Sequence, residues 1–357
     1  WCGSHSSPLP PWTMNIGFVS TRFSGTDGVS LESQKWADAL ERLGHKCFWF
    51  SGLSDRLPEF SMVVPEAFFE HPTIRTINNA VWNVDAIPTS IVESIEEISK
   101  YLEANINDFC RRFEIDLLIS QNALTIPMNL PLGLALTNHI ESSGMPTVAH
   151  HHDFYWERRR FTGNGVLPYL EKAFPPSLDS ITHVVINSEA GRQLDDRLKL
   201  SSILVPNVMD FETTPEISFA SSAIKSELGF ANEDILFLQP TRVVPRKGIE
   251  HSIELVARLE DPHIKLVISH ESGDEGHDYR DSLIALAKAR QVDLRLIGDL
   301  VASSGKPPFT LEELYRVADF ITYPSLYEGF GNALLETVFF RKLALVNRYP
   351  VFIDDIE

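Results

Sequence analysis

The chain is short of cysteine, of positive charge and of long apolar runs, and each shortage removes a class of explanation. Its three cysteines (Cys2, Cys47 and Cys110) are odd in number and widely spaced, which suits a reducing cytosol better than a disulfide framework. Lys and Arg number 31 against 49 Asp and Glu, for a formal net charge of −18. A field of that sign argues against nucleic acid or an anionic membrane as a partner, so an anionic substrate has to be captured by local basic groups. No stretch approaches the roughly 20 apolar residues that span a bilayer, so no transmembrane segment is expected. The opening Trp1–Thr13, rich in Ser and Pro, lacks the basic start and apolar run of a signal peptide. A strand begins directly after Met14, which reads as the natural start, with 1–13 an extraneous or disordered leader. The expected localisation is cytoplasmic.

What is present is an ordinary globular composition, 43% hydrophobic and 22% charged, in a chain too long for one core. Two domains are expected, 14–211 and 212–357. In the first, Asn15–Ser20 reads as a buried strand and Thr21–Gly28 as a polar loop carrying Gly25 and Gly28. A helix follows over about Ser30–Leu43, with an apolar stripe of Leu31, Trp36, Leu40 and Leu43, and Gly44 ends it. Strand Lys46–Phe50 completes a βαβ unit. The loop lacks the G-x-G step and third glycine of the dinucleotide fingerprint. It either lies against a phosphate or acceptor or is a plain first turn of a doubly wound sheet.

Residues 56–92 read as an irregular, proline-punctuated insertion. After it come a helix over about Ile91–Phe113, strand Asp116–Ser120, a polar turn at Gln121–Asn122, a helix through His139, and strand Thr147–Ala149. That strand runs into His150-His151-His152-Asp153. An extended chain sends alternate side chains to opposite faces, so three adjacent histidines do not readily converge on one ion, and a metal is the weaker reading. The stronger one is a histidine held by Asp153 at a strand's carboxyl end, where open α/β sheets bind ligands. Arg158–Arg160, the densest basic run, either meets an anionic substrate or forms a solvated helix face. Strand Thr182–Ile186, a helix from Ser188, strand Ser202–Val205 and a linker from Pro206 follow.

The βα alternation then restarts. Strand Asp234–Gln239 leads into Thr241–Gly248, where Arg242, Arg246 and Lys247 gather just before a helix over Ile249–Leu259. Arg offers forked bonds to phosphate and Lys a point charge, so this cluster reads as a phosphate site. Strand Ile264–Ile268, a polar loop over Ser269–His277, a helix near Tyr279–Arg290 and strand Asp293–Ile297 follow. At Gly298-Asp299 a base could stack against the backbone. Helix Leu311–Val317 and strand Ala318–Tyr323 lead to the most informative stretch, Tyr323-Pro-Ser-Leu-Tyr-Glu-Gly-Phe-Gly-Asn-Ala-Leu-Leu-Glu336. Gly329 and Gly331 let the backbone approach a ligand, and the helix expected over Ala333–Phe340 offers an N-terminus to an anion. Glu328 and Glu336 bracket that turn with seven residues between them. Carboxylates repel phosphate but accept from sugar hydroxyls, so the combination points to a sugar phosphate. Strand Leu343–Val346 is the last element expected, with no closing helix before Glu357.

Together these residues resemble the retaining, nucleotide-sugar-dependent glycosyltransferases of the GT-B fold, the large family of bacterial mannosyl- and glucosyltransferases and sucrose synthase. Glu328-Gly-Phe-Gly-Asn-Ala-Leu-Leu-Glu336 matches that family's paired-glutamate motif. Arg242…Lys247-Gly248, Pro206-Asn207 and His152-Asp153 support it. The resemblance implies two Rossmann-like, doubly wound α/β domains facing across a cleft, and a chain truncated before a family helix that crosses back to the first domain. It implies hexosyl transfer from a UDP- or GDP-sugar to an acceptor hydroxyl, without metal or other cofactor.

By that resemblance Glu328 meets donor-sugar hydroxyls, with the amides of Gly329, Phe330 and Gly331 near the sugar and phosphate. Glu336 takes the ribose hydroxyls, Arg242 and Lys247 the diphosphate, and Gly298 lies on the donor side. His152 sits beside the reacting centre, and Gly28 lets the first loop approach. The expected catalytic set is therefore His152, Glu328, Arg242 and Lys247. The loop reads Thr26-Asp27-Gly28-Val29 where the family often has paired glycines. A glycosidase also uses two carboxylates but leaves the basic cluster without a purpose. A nucleotide-sugar epimerase of the same architecture and a non-catalytic sugar-nucleotide-binding subunit are the remaining alternatives.

Overall fold

The computed structural model describes residues 12–25, 28–158, 160–212, 221–271, 278–301 and 310–357. The chain divides into two compact units, Trp1–Pro206 and Asn207–Glu357. The division falls at Pro206 rather than at 211, and Asn207 already donates to Asn332 Oδ1 of the second unit at 2.8 Å.

The first unit is built on seven strands, β1 (Asn15–Val19), β2 (Lys46–Ser51), β3 (Ser61–Val63), β4 (Leu117–Gln121), β5 (Thr147–His151), β6 (Ile181–Val185) and β7 (Ser202–Leu204). All pair in parallel, in the order β3-β2-β1-β4-β5-β6-β7. Strands covered on both faces have no polar side, which is why β1, β4 and β6 read as nearly continuous apolar runs. On one face the helices Thr89–Arg112 and Leu130–Ser143 bring Leu102, Ile106, Phe109, Leu132 and Leu136 against Phe50 and Leu118. Each such side chain, fully buried, contributes roughly 1.5–3 kcal/mol. Asn129 caps the second of these helices through Leu132 N, and Gly144 ends it with φ +67°.

Several expectations are corrected here. Residues 56–92 are not irregular: they hold β3 and a helix over Pro72–Val81, whose Ile74, Ile77 and Val81 are buried. Each element is too short for its periodicity to stand out among four prolines. The first helix spans Gly28–Arg42, so Gly28 opens the helix rather than belonging to a loop, and Thr26 and Asp27 lie outside the described residues. Leu31 and Leu43 are exposed, and Ser30, Glu32, Ser33 and Ala37 face inward instead. Three small residues on that face permit a close approach to the sheet that a leucine stripe would block.

The second unit carries β8 (Ile235–Gln239), β9 (Ile264–Ile268), β10 (Asp293–Leu296), β11 (Phe320–Tyr323) and β12 (Ala344–Val346), all parallel, in the order β10-β9-β8-β11-β12. Each sheet therefore reverses its winding direction once, between β1 and β4 in the first and between β8 and β11 in the second. Ligands in open α/β sheets bind outside the carboxyl ends of the strands at such reversals. The loops placed there are Thr241–Gly248 after β8 and Pro324–Gly331 after β11. The last residues, Phe352–Ile356, make a π-helical turn that the sequence pattern did not suggest. Among the described residues no helix is long and apolar enough to cross a membrane.

Candidate functional site

In the second unit the two loops at the reversal are zipped together. Leu326 N donates to Arg246 O at 2.8 Å, and Arg246 Nη1 donates to Tyr327 O at 3.2 Å. Gly248, with φ +58°, stands where a Cβ would lie 2.5 Å from Pro324 O, so only glycine lets the loops meet. Gln239, at the end of β8, fixes the basic loop from beneath. It is fully buried, donates to Lys247 O and Thr241 Oγ1, and accepts from Ser252 and Thr322. Sequence reasoning missed Gln239. A lone glutamine ending an apolar strand is the signal that was available.

This framework delivers Lys247 and Arg246 to the same carboxylate. Lys247 Nζ bonds Glu328 Oε1, and Arg246 Nη1 bonds Glu328 Oε2 at 3.1 Å. The Lys247 and Glu328 side chains are 10% and 8% exposed, so this is a buried charge cluster rather than a surface pair. Burial raises the Glu328 pKa, but Lys247 and Arg246 outweigh it and hold the carboxyl below its ordinary value. Burial pulls Lys247 down to about 8, Glu328 only partly opposing, with Arg246 and Arg242 pushing the same way as burial.

Arg242 is exposed, and its field reaches both Lys247 and His270. His270 follows β9 and was not among the expected site residues. Burial, then Lys247 and Arg242, lowers its pKa to about 4. Gly298 opens a four-residue helix, and a Cβ there would meet the backbone of His270 and Glu271 within 3 Å.

The glutamate turn ends at Gly331, which precedes helix Asn332–Phe339 with no side-chain cap. Gly329 is partly exposed, whereas Phe330 and Gly331 are buried and the Phe330 carbonyl accepts from Tyr349 Oη at 2.8 Å. Glu336 lies one turn into the helix, beside the buried Tyr315, whose phenol donates to Ala333 O at 3.0 Å and is held well above its ordinary pKa by burial and then by the Glu336 charge. Arg246, Lys247, Glu328 and the helix mouth thus share one end of the second sheet. Arg246, which stood outside the expected diphosphate pair of Arg242 and Lys247, is the guanidinium that touches Glu328.

Because Lys247 titrates near neutrality, anion binding should follow it. Below about pH 8 the ammonium is charged, and above it the cation is lost. Nucleoside diphosphate affinity is therefore expected to fall as pH rises past about 8, and Lys247→Arg, which stays charged, to remove that inflection. Calorimetric titrations of wild type and variant from pH 6.5 to 9.5 check this; parallel curves would refute it.

The first unit has its own polar cluster at the carboxyl edge, from β4 and β5. The strand runs on through His150 and His151, farther than Ala149, and the alternation holds: the His150 and His152 rings lie 4.5 Å apart while His151 points the other way. His151 Nε2 meets His183 Nδ1 at 2.9 Å, and His151 Nδ1 meets Thr125 Oγ1. Burial drives the pKa of His150 and His151 well down, and that of His183 to about 4.

The expectation that Asp153 holds the histidine is corrected. Asp153 is taken by Asn122 Nδ2 at 3.1 Å and by an ion pair with Arg158, while the His152 ring is held by Gln121 Oε1 at 2.9 Å. Asn122, in the left-handed region at φ +60°, also accepts the His152 N–H. The Asp153 carboxylate is thereby committed to Asn122 and to the Arg158 guanidinium. Of the basic run, Arg160 stacks over Phe161 and Arg159 lies outside the described residues.

Against this geometry the comparisons are consistent. The model for "Glycosyl transferases group 1" matches residues 221–356, spanning both loops of the second-unit cluster. Mannosylglucosylglycerate synthase of Petrotoga mobilis is 34% identical over 369 residues, covering 96% of this chain and 84% of that protein. The chain belongs to the group 1 glycosyltransferases. The protein of the same description from Thermotoga maritima is 32% identical, covering 96% of this chain and 83% of its own. Among solved structures, a glycosyltransferase from Rickettsia africae superposes with a TM-score of 0.64 at 14% identity, covering 95% of this chain and 80% of that one. This group 1 glycosyltransferase accordingly has the GT-B type of fold, with two Rossmann-like parallel-sheet units.

Proposed function

We propose that this glycosyltransferase moves a mannosyl unit, with retention at the anomeric carbon, from a nucleoside diphosphate sugar to a hydroxyl of a glucosylglycerate acceptor. The observation that carries the reading is the convergence of Lys247 and Arg246 on Glu328 at the mouth of helix Asn332–Phe339. One place there offers cations to a diphosphate and a carboxylate to hydroxyls. The choice of mannose and of the acceptor follows the description of the two relatives that cover 96% of this chain.

The demanding step is departure of the diphosphate, as negative charge builds on its bridging oxygen. Lys247, with Arg246 and Arg242, meets that charge, and the uncapped N–H groups after Gly331 add the positive end of the helix dipole. Glu328 accepts from donor-sugar hydroxyls, with Gly329 and Phe330 beside it. Glu336 takes the ribose and Gly298 gives the base access to backbone. We assign the acceptor to the first unit, with His152 and Gly28 as its candidate contacts. Protein cations supply the charge, so the reaction as proposed needs no metal.

The test is incubation of the protein with glucosylglycerate and, in turn, GDP-mannose, UDP-glucose and other hexosyl donors. Acceptor-dependent release of nucleoside diphosphate and a product heavier by one hexosyl residue are expected, with the α or β coupling of the donor preserved in its NMR spectrum. Tight donor binding without turnover on a broad acceptor panel would mean a binding subunit. A changed sugar on the nucleotide in the absence of acceptor would mean an epimerase.

A further inference from the structure

Gln121 ends β4 at the reversal of the first sheet and is fully buried. Its main chain is anchored by the scaffold: it pairs with His150 across β4 and β5, and its carbonyl accepts from Ser20 Oγ at 2.9 Å. Its side chain makes no bond that the scaffold requires. Oε1 meets two imidazoles, His150 Nδ1 at 3.0 Å and His152 Nε2 at 2.9 Å, while Nε2 has no partner among the described residues. Gln239, at the matching place in the second unit, spends both ends of its amide on tying loops and helix together. Gln121 instead turns its buried amide to two histidines.

The chemistry of that oxygen fixes the rings. A carboxamide oxygen only accepts, so each imidazole nitrogen facing it carries a proton. With Oε1 turned to the rings His150 is the Nδ1–H and His152 the Nε2–H form, whereas the amide turned over would require the opposite tautomers, a choice that histidine spectra decide. His150 is also stacked on Trp36, with centroids 4.4 Å apart, which fixes the plane of its ring. Two imidazolium ions 4.5 Å apart would repel, and burial disfavours a charge on His150, so the two rings are not charged together.

We propose that Gln121 is a positioning residue for the transfer reaction: it fixes the His152 ring through an Nε2–H bond, with that nitrogen turned inward. His152 then meets substrate as an imidazole of fixed orientation and exchanges no proton through Nε2. The role in transfer rests on the proposed function, but the tautomer does not.

The test uses the whole protein labelled with ¹⁵N-histidine, with long-range ¹H–¹⁵N spectra assigned through His150→Gln and His152→Gln. Wild-type His152 is expected to show a single Nε2–H signature. Gln121→Met should let the His152 tautomers average and lower kcat on the order of tenfold to a hundredfold, with donor KM little changed. A wild-type His152 protonated on Nδ1, an unchanged signature in Gln121→Met, or freed tautomers with unaltered kcat would each overturn the proposal. Should the Met variant not fold, Gln121→Glu decides. Its carboxylate still accepts from both rings and adds charge, so His152 should take its second proton at higher pH than in wild type; an unchanged titration refutes the contact. If wild type transfers to no acceptor, the reading of function fails while the spectra still decide the tautomer.

Discussion

Glu328→Gln is expected to weaken the folded second unit and yet strengthen its hold on a nucleoside diphosphate. In the unliganded protein Glu328 is the anion that Lys247 and Arg246 share. Removing one partner of a buried pair typically costs about 3–5 kcal/mol, because the other charge is left unpaired. Arg246 is 38% exposed and can turn to water, whereas Lys247, at 10%, is the group that would be stranded. A diphosphate then finds cations no longer satisfied from within, so its affinity should rise, and at 100 times its dissociation constant it should return about 2.7 kcal/mol of stability. Transfer should nevertheless fall by ~10²–10³, since the sugar hydroxyls lose a preorganised acceptor. Thermal unfolding with and without GDP or UDP, calorimetric affinity and kcat measure the three effects. Equal or weaker nucleotide affinity in the variant would show that the carboxylate does not compete for the cations.

This double use of Glu328 was not legible in the sequence, although the residues were. The paired glutamates, the basic loop and the strand–turn–helix around Gly329 and Gly331 could be read because each is local: residue type, spacing and helix polarity carry the meaning. That Arg246 rather than Arg242 reaches Glu328 depends on the Leu326–Arg246 backbone bond between loops some 80 residues apart in sequence, and no local pattern reports it. The same holds in the first unit. Alternation along β5 correctly separated His151 from His150 and His152, but proximity in sequence pointed to Asp153 as the partner. The partner is Gln121, one strand away, while Asp153 is drawn off by Arg158. Buried helical faces built from Ser30, Ser33 and Ala37 failed for a related reason. Close packing rewards small residues, which a search for apolar stripes passes over.

Gly331→Ala should strongly destabilise the second unit. Gly331 has φ +119° and ψ +58°, outside the regions open to L side chains, which costs on the order of 1–3 kcal/mol for alanine. The added Cβ would also lie 2.4 Å from Tyr349 Oη and 3.2 Å from Tyr323 Oη. Both tyrosines are 1% exposed, so neither has open space to enter, and relief by repacking costs roughly another 1–3 kcal/mol. If Tyr349 yields, it drops its 2.8 Å bond to Phe330 O; if the turn yields instead, it moves Glu328, three residues upstream. Activity should therefore fall by more than the loss of folded protein explains. The two causes separate in a double-mutant cycle. Tyr349→Phe alone should lose about 1 kcal/mol for its hydrogen bond. In Gly331→Ala/Tyr349→Phe the 2.4 Å contact is gone and the nearest remaining one is Tyr323 Oη at 3.2 Å, so most of the clash is relieved while the backbone strain persists. Denaturant unfolding should place the double variant above Gly331→Ala and below wild type. A double variant no more stable than Gly331→Ala would mean that the tyrosine hydroxyl does not crowd the turn, and an alanine variant as stable as wild type would mean that this turn does not need its glycine.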